Sequence, residues 1–186
     1  MATDTGHAGF ANEDGVIAAG PRTLSDAIVT LREIRKTDAE DLYRWRMDPQ
    51  SRPMFHSTDV VPFETHLQFV QRYFTPGNTD AWFIIETKGL PVGTIVLYDI
   101  SPDGTEAEWG RFVVAPEHRG RGFGRQALAL LVAYARQRGI LRLRCDVLAS
   151  NEHTRRMYRE MGFQETGVFT LRGRDFVAML LTFDAA

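Results

Sequence analysis

A single cysteine, Cys145, stands in a chain of 186 residues, so no internal disulfide can form. A domain that holds itself together without such bridges is expected in a reducing compartment. No apolar run approaches the roughly 20 residues needed to cross a bilayer. The N-terminus also lacks the basic-then-apolar order of a secretory signal. The expected location is therefore the cytoplasm. Charge of one sign is missing too, with 22 Lys and Arg against 24 Asp and Glu giving −2. That balance excludes whole-molecule attraction to nucleic acid or an anionic membrane, so any anion must be met by a local cluster of donors. The 5 histidines are scattered and the lone cysteine has no partner at ligand spacing, so no metal site is expected.

What is present suits one domain with a substantial core: 44% hydrophobic and 25% charged residues. Residues 1–24 are small, polar and rich in Gly and Ala, and read as a flexible tail, leaving 25–186 as the folded unit. A strand is expected over 27–34, then a helix to about Met47, opened by a Thr37/Glu40 capping box and stopped before Pro49. Pro62 opens a second helix, with Phe63, Leu67, Val70 and Phe74 on one stripe. Strands over 81–87, 92–100 and 106–114 follow, joined by turn-forming Lys88-Gly89-Leu90-Pro91 and Ser101-Pro102-Asp103-Gly104. A helix over 122–138, a strand over 141–148, a helix over 151–161 and strands over 164–171 and 176–183 complete the order. Cys145 lies in the alternating run Leu141-Arg142-Leu143-Arg144-Cys145 and reads as a half-buried strand residue.

The segment Arg119-Gly120-Arg121-Gly122-Phe123-Gly124 precedes the third helix. Glycines let backbone N–H groups converge on an anion, and the free donors of the following helix point at the same place. Arg119, Arg121 and Arg125 add charge. A dinucleotide fingerprint would need glycine where Arg125 stands, and a phosphate loop would need Gly-Lys-Ser/Thr. Alone, the segment fits an anion site and an ordinary glycine turn equally.

Its surroundings carry a resemblance. The Arg119–Gly124 segment resembles the Arg/Gln-x-x-Gly-x-Gly/Ala motif of the GNAT N-acetyltransferase family. The preceding Trp109-Gly110-Arg111-Phe112-Val113-Val114, with Pro116 beyond, is similar to that family's fourth strand. Asn151, Tyr158 seven residues later, and Gly162-Phe163 resemble its second signature. The resemblance implies a mixed α/β fold with a mostly antiparallel sheet of six to seven strands, splayed at the fourth and fifth, flanked by about four helices. It implies acetyl-CoA as donor, with the pyrophosphate on the backbone of Arg119, Gly120, Arg121, Gly122, Phe123 and Gly124. The pantetheine arm would lie along Phe112, Val113 and Val114, where one N–H would polarise the thioester carbonyl.

Tyr158 is then the candidate general acid toward the departing sulfur and a CoA contact, although its helix position also suits the core. Asn151 is a helix cap, a pantetheine contact, or both. Strand alternation puts Glu108, Gly110, Phe112 and Val114 on one face, with Trp109, Arg111 and Val113 on the other. Glu108 aligns with a strand position where several members keep a glutamate, and is the candidate base; Glu106 is its nearby decoy. The other reading of Glu108 is a strand-end carboxylate in water.

Trp45-Arg46-Met47-Asp48-Pro49 resembles a branch that acetylates nucleotide-linked amino sugars and ribosomal-protein N-termini. Arg46 and Arg52 suit a diphosphate, Trp45 or Phe55 a base or sugar, and His56 lies beside them. A nucleotide-linked amino sugar is the first expectation for the small-molecule acceptor, a protein N-terminus or another small amine the second. The Arg-rich stretch argues against a polyamine. A silent CoA-binding module is the reading from another class. RNA binding through Arg142, Arg144, Arg155, Arg156 and Arg159 is disfavoured by net charge. A homodimer through an exposed edge or helix is compatible with such a fold.

Overall fold

Two adjacent strands set the centre of the molecule. Ala81–Thr87 (β3) begins with five consecutive buried residues, and Leu90–Tyr98 (β4) carries six from Val92 to Leu97. Runs apolar on both faces demand cover on both sides. The cover comes from helices Ala39–Met47 (α1) and Phe63–Tyr73 (α2) on one face, and Phe123–Gln137 (α3) and Glu152–Glu160 (α4) on the other. The single buried hydroxyl among these strand residues is fully used: Thr94 accepts from Trp82 Nε1 and donates to Phe83 O, both at 2.8 Å.

The computed structural model describes residues 22–184. Its remaining strands are Thr23–Ser25 (β1), Thr30–Glu33 (β2), Glu106–Val114 (β5), Arg142–Leu148 (β6), Gln164–Leu171 (β7) and Arg174–Thr182 (β8). The eight strands run in the order β1-β2-β3-β4-β5-β6-β8-β7. Every neighbouring pair is antiparallel except β5 and β6. Among the described residues, no helix is long and apolar enough to cross a membrane.

Several local expectations change. Thr23 and Leu24, placed by sequence with the tail, pair with Arg32 and Leu31 and add an eighth strand; residues 1–21 of that tail lie outside the described residues. The strand expected from residue 27 starts at Thr30, because Asp26 turns the chain by accepting the N–H groups of Ile28 and Val29. The Thr37/Glu40 capping box does not form. Lys36–Asp38 is already a 3₁₀ turn, and the Asp38 carboxylate takes the Arg35 N–H at 2.6 Å and Arg32 Nη1 at 2.9 Å. Helix α2 buries His66 rather than Phe74, which lies past the helix end.

Trp45 is a larger correction. It is only 1% exposed, packed in the second core with Leu42, Val70, Trp82 and Val96, and offers no face to an acceptor. Indole burial of this extent is a core role.

The consequential departure is in β5. Val96 pairs with Gly110 and Thr94 with Val113, so Arg111 and Phe112 together oppose Ile95. Arg111 takes φ of 46°, a left-handed value rare outside glycine. This is a β-bulge, and it breaks the alternation expected along the strand. Trp109, Phe112 and Val114 pack on the α3/α4 side, whereas Val113 joins the α1/α2 side. Glu108 and Phe112 therefore do not share a face.

Gly93 lies where β4 meets the far end of β5. A Cβ there would sit 2.3 Å from Val113 O and 3.0 Å from Val114 Cα, both backbone atoms. Gly93→Ala is expected to cost about 1–3 kcal/mol in urea unfolding, because strand backbone must move. Gly167→Ala, which meets nothing within 4 Å, is the control and should change stability little.

Candidate active site

Strands β5 and β6 pair only from Glu106 to Glu108, opposite Arg142 to Arg144. Beyond that point β6 stays with β8 along its whole length, Arg142–Leu148, while β5 continues along β4. The two diverge and a cleft of about 920 Å³ opens between them. The edge of β5 that faced β6 is thereby stripped of strand partners. Ala115 N–H bonds Val92 O at 2.8 Å, so by alternation Val114 and Phe112 turn their N–H groups to the cleft. Free main-chain donors on an exposed edge are a template for an extended ligand.

At one end of the cleft stands the glycine loop. Gly120 and Gly122 have φ of 74° and 83°, conformations that L side chains rarely adopt. Gly122 begins α3, and the first bond back into the turn is Gln126 N–H to Gly122 O. The N–H groups of Phe123, Gly124 and Arg125 are thus without intrahelical acceptors. Gly124 is needed for another reason: a Cβ there would meet Phe112 Cζ at 3.1 Å and Val114 Cγ2 at 3.5 Å. Absence of that atom brings the helix start against the strand edge. A diphosphate on the amides with a chain running down β5 fits this arrangement.

Of the loop arginines, Arg119 and Arg125 line the cleft and Arg121 does not. Arg119 donates to Val114 O at 3.0 Å and Ser51 Oγ at 2.7 Å, fastening the loop to the segment after α1. Arg121 reaches back to Glu117 O at 3.3 Å, and its side chain does not line the cleft. Arg125 lines it, ion-paired with Glu160. The backbone, more than side-chain charge, is offered at this end.

Tyr158 sits deeper, on the α3/α4 side. It is 5% exposed, with its ring 5.0 Å from Trp109 and 5.9 Å from Phe163. Burial pushes its phenol well above the ordinary value, with the nearby Cys145 and Asp146 acting in the same direction. The phenol stays protonated at neutral pH, and Tyr158 is part of the cleft wall. Tyr158 is thus both a member of the core and part of the cleft wall. Cys145 is buried, and desolvation raises its thiol too, so it stays a neutral neighbour. Asn151 caps α4 by accepting the Thr154 N–H at 3.2 Å, and also lines the cleft.

The opposite face of the sheet carries the other polar groups. Glu108 pairs in register with Arg144, and Asp146 follows two residues on, so all three point away from the Cys145 side. Glu108 accepts the Tyr98 hydroxyl. Burial first, then that carboxylate, pushes the Tyr98 phenol up. Trp109 is on the other face, as alternation predicts, and Tyr98 is the aromatic neighbour of Glu108. The decoy Glu106 pairs with Arg142 at 3.2 Å outside the cleft lining.

Residues 50–57 wall the same side. His56 Nε2 meets Asp146 Oδ1 at 2.5 Å, and its ring stands edge-on to Phe176 at 4.8 Å. Arg46 stacks on Phe55 at 4.5 Å and donates to Ser57 O at 2.6 Å. Desolvation lowers its guanidinium, with Arg52 nearby adding to the effect. Arg46, Phe55 and His56 line the cleft, but Arg52 and the buried Trp45 do not. The expected diphosphate clamp of Arg46 and Arg52 is therefore not assembled. Tyr98, Asp146 and Arg174 are among the lining or fastening residues that escaped sequence reasoning. An acid in the outward register of a strand otherwise presenting Arg142 and Arg144 was the one available signal for Asp146.

The arginines considered for RNA are paired with acids: Arg142 with Glu106, Arg144 with Asp99, Arg155 and Arg159 with Glu152 and Glu165, and Arg156 with Glu160.

The acetyltransferase (GNAT) family model matches residues 39–163, from the start of α1 to the end of the second signature. The chain belongs to this family. Its members take the acetyl group from acetyl-CoA, in accord with the glycine loop and free strand edge described above. A curated relative, the uncharacterized N-acetyltransferase YycN of Bacillus subtilis (strain 168), is 47% identical over 51 residues, 27% of this chain. That match spans about a third of the relative, 33% of its length. Among solved structures, the spermidine N-acetyltransferase of Vibrio cholerae in complex with CoA and spermine superposes with a TM-score of 0.76. It is 21% identical, covering 84% of this chain and 96% of that one. A ribosomal-protein-alanine N-acetyltransferase from Brucella melitensis is 22% identical with a TM-score of 0.69, over 82% of this chain and 99% of that one. At these identities the structural likeness concerns the fold.

In this acetyltransferase, Gly124→Val is expected to push the start of α3 off Phe112 and Val114. CoA affinity, read by calorimetry, should fall by about tenfold or more, since roughly 1.4 kcal/mol corresponds to tenfold. Gly124→Ala should fall between that variant and the parent.

Proposed function

We propose that the protein transfers an acetyl group from acetyl-CoA by direct attack to the primary amine of a small, cationic acceptor. The observation that carries this reading is the two-sided cleft. A buried, protonated phenol, Tyr158, lines it from the α4 face, and two carboxylates, Glu108 and Asp146, line it from the other. A departing thiolate needs a proton donor, and an incoming ammonium needs negative charge.

In this reading Tyr158 is the general acid. The Phe112 and Val114 N–H groups lie along the thioester arm, one of them serving the carbonyl oxygen as negative charge develops there. Asn151 supports the arm while capping α4, and Gly120 to Gly124 hold the pyrophosphate. Glu108 gives one oxygen to Tyr98 and keeps the other for the acceptor's ammonium.

The cationic acceptor replaces the amino sugar expected from the Arg-rich stretch. Arg44 is tied to Asp41, Arg46 is occupied by Phe55 and Ser57, and Arg52 is off the cleft. The argument against a polyamine rested on those arginines. The spermidine N-acetyltransferase among the structural neighbours acts on such a cation, which accords with this choice.

The test is thiol release from acetyl-CoA with spermidine, an alanine-ended peptide and a nucleotide-linked amino sugar in parallel. Spermidine is expected to turn over fastest, and preference for the nucleotide sugar or the peptide would overturn the acceptor assignment. Tyr158→Phe should lower kcat by about 100-fold with little change in the KM for acetyl-CoA, as expected for loss of a general acid. Glu108→Gln should raise the KM for the amine.

A further inference from the structure

The amine acceptor arrives protonated at neutral pH and must lose that proton before its nitrogen can attack. We propose that His56, held by Asp146, is the group that takes it. The proposal rests on the acetyl-transfer reading above and adds a catalytic residue to it.

The geometry on the acceptor side of the cleft is that of an oriented imidazole. An ionised carboxylate only accepts hydrogen bonds, so His56 Nε2, 2.5 Å from Asp146 Oδ1, carries the proton of that contact. In the neutral ring this leaves the lone pair on Nδ1. A carboxylate that fixes tautomer and ring orientation is the usual arrangement behind a histidine base. Asp146 is well anchored for this task, in mid-strand on β6 and paired in register with Ala178 of β8.

His56 comes from a connection between α1 and α2, yet it is not left to its own flexibility. Arg174, at the start of β8, donates to Pro53 O at 2.5 Å and His56 O at 3.2 Å, and also to Phe55 O. Phe176, two residues along β8, stands edge-on to the imidazole at 4.8 Å. One strand thus holds both the main chain and the ring. The His56 side chain is 46% exposed, so a proton accepted there can pass to water. The charged groups bonded to it are Asp146 on β6 and, through its carbonyl, Arg174 on β8, while Arg46 on α1 and Glu108 with Tyr98 on β5 and β4 line the same cleft. Glu108 has an oxygen committed to Tyr98, which suits it to hold an ammonium while the neutral imidazole accepts a proton.

The protons balance. The ammonium gives one proton to His56 Nδ1, which releases it to solvent. The freed lone pair forms the C–N bond at the thioester carbon, and the C–S bond breaks with its electron pair going to sulfur. Tyr158 protonates that sulfur. The second proton, released from nitrogen as the amide forms, restores the phenol.

The experiment compares the parent with His56→Gln, His56→Ala and Asp146→Asn in thiol release, using acetyl-CoA and spermidine from about pH 6 to about pH 9. CoA binding serves as the folding control. His56→Gln is expected to lose about 100-fold in kcat with the acetyl-CoA KM unchanged, and its rate should climb with pH across the whole range as solvent hydroxide takes over the deprotonation. Added imidazole should restore part of the rate to His56→Ala. Asp146→Asn keeps the ring but frees its tautomer, and should lose about tenfold in kcat. A His56→Ala rate within about threefold of the parent, with the same pH profile, overturns the assignment while leaving acetyl transfer standing. If His56→Ala fails to bind CoA, an unchanged rate in Asp146→Asn overturns it instead. A parent protein that binds acetyl-CoA yet acetylates none of the three amine classes named earlier removes the acetyl-transfer reading and this one together.

Discussion

The three-residue parallel pairing of β5 with β6 is the constraint on which the site depends. It joins the two halves of the sheet at Glu106–Glu108 and then ends. Had the ladder continued, Phe112 and Val114 would spend their N–H groups on β6. It ends because each strand is claimed from its other side: β6 by β8 over seven residues, β5 by β4 through a bulge at Arg111. The bulge adds a residue, bends the strand and carries it away from β6. Arg111 is held in its unusual conformation by stacking at 4.4 Å on Tyr98 and 5.0 Å on Phe69.

A gap through a sheet connects its two faces, which elsewhere are sealed from one another by strands. Tyr158 and Cys145 belong to the α3/α4 face; Glu108, Tyr98 and Asp146 belong to the other. A proton donor and groups suited to an ammonium can thus be kept in different surroundings, one dry and one wetter, within a single cleft. Burial that raises the Tyr158 phenol is a property of its own face.

Two arginines hold the wall formed by residues 50–57 from opposite ends. Arg119 reaches it from the glycine loop through Ser51, and Arg174 from the last hairpin through Pro53, Phe55 and His56. Each satisfies carbonyls or hydroxyls that a short irregular segment cannot satisfy for itself. The two ends of the cleft are in this way coupled through one stretch of chain. Sequence reasoning had assigned Arg119 to phosphate and passed over Arg174, since residue type alone does not say which partner a long side chain finds.

The order of helices and strands, the glycine loop at a helix start, and the Asn151–Tyr158–Gly162 signature were legible in the chain because each depends on neighbours in sequence. Apolar spacing, positive-φ glycines and helix stops act over a few residues, and most elements appeared within two or three positions of where they were expected. The expectation that Glu108, Phe112 and Val114 share one face failed because strict alternation was carried through Arg111, where only the pairing with β4 creates a bulge. Trp45 was placed at the acceptor because an indole beside arginines reads the same whether it faces solvent or core. His56 and Asp146 are 90 residues apart, and nothing local to either indicates the other. Local chemistry wrote the elements and the anion loop into the sequence, whereas the meeting of those two side chains required three strands and a loop to converge first.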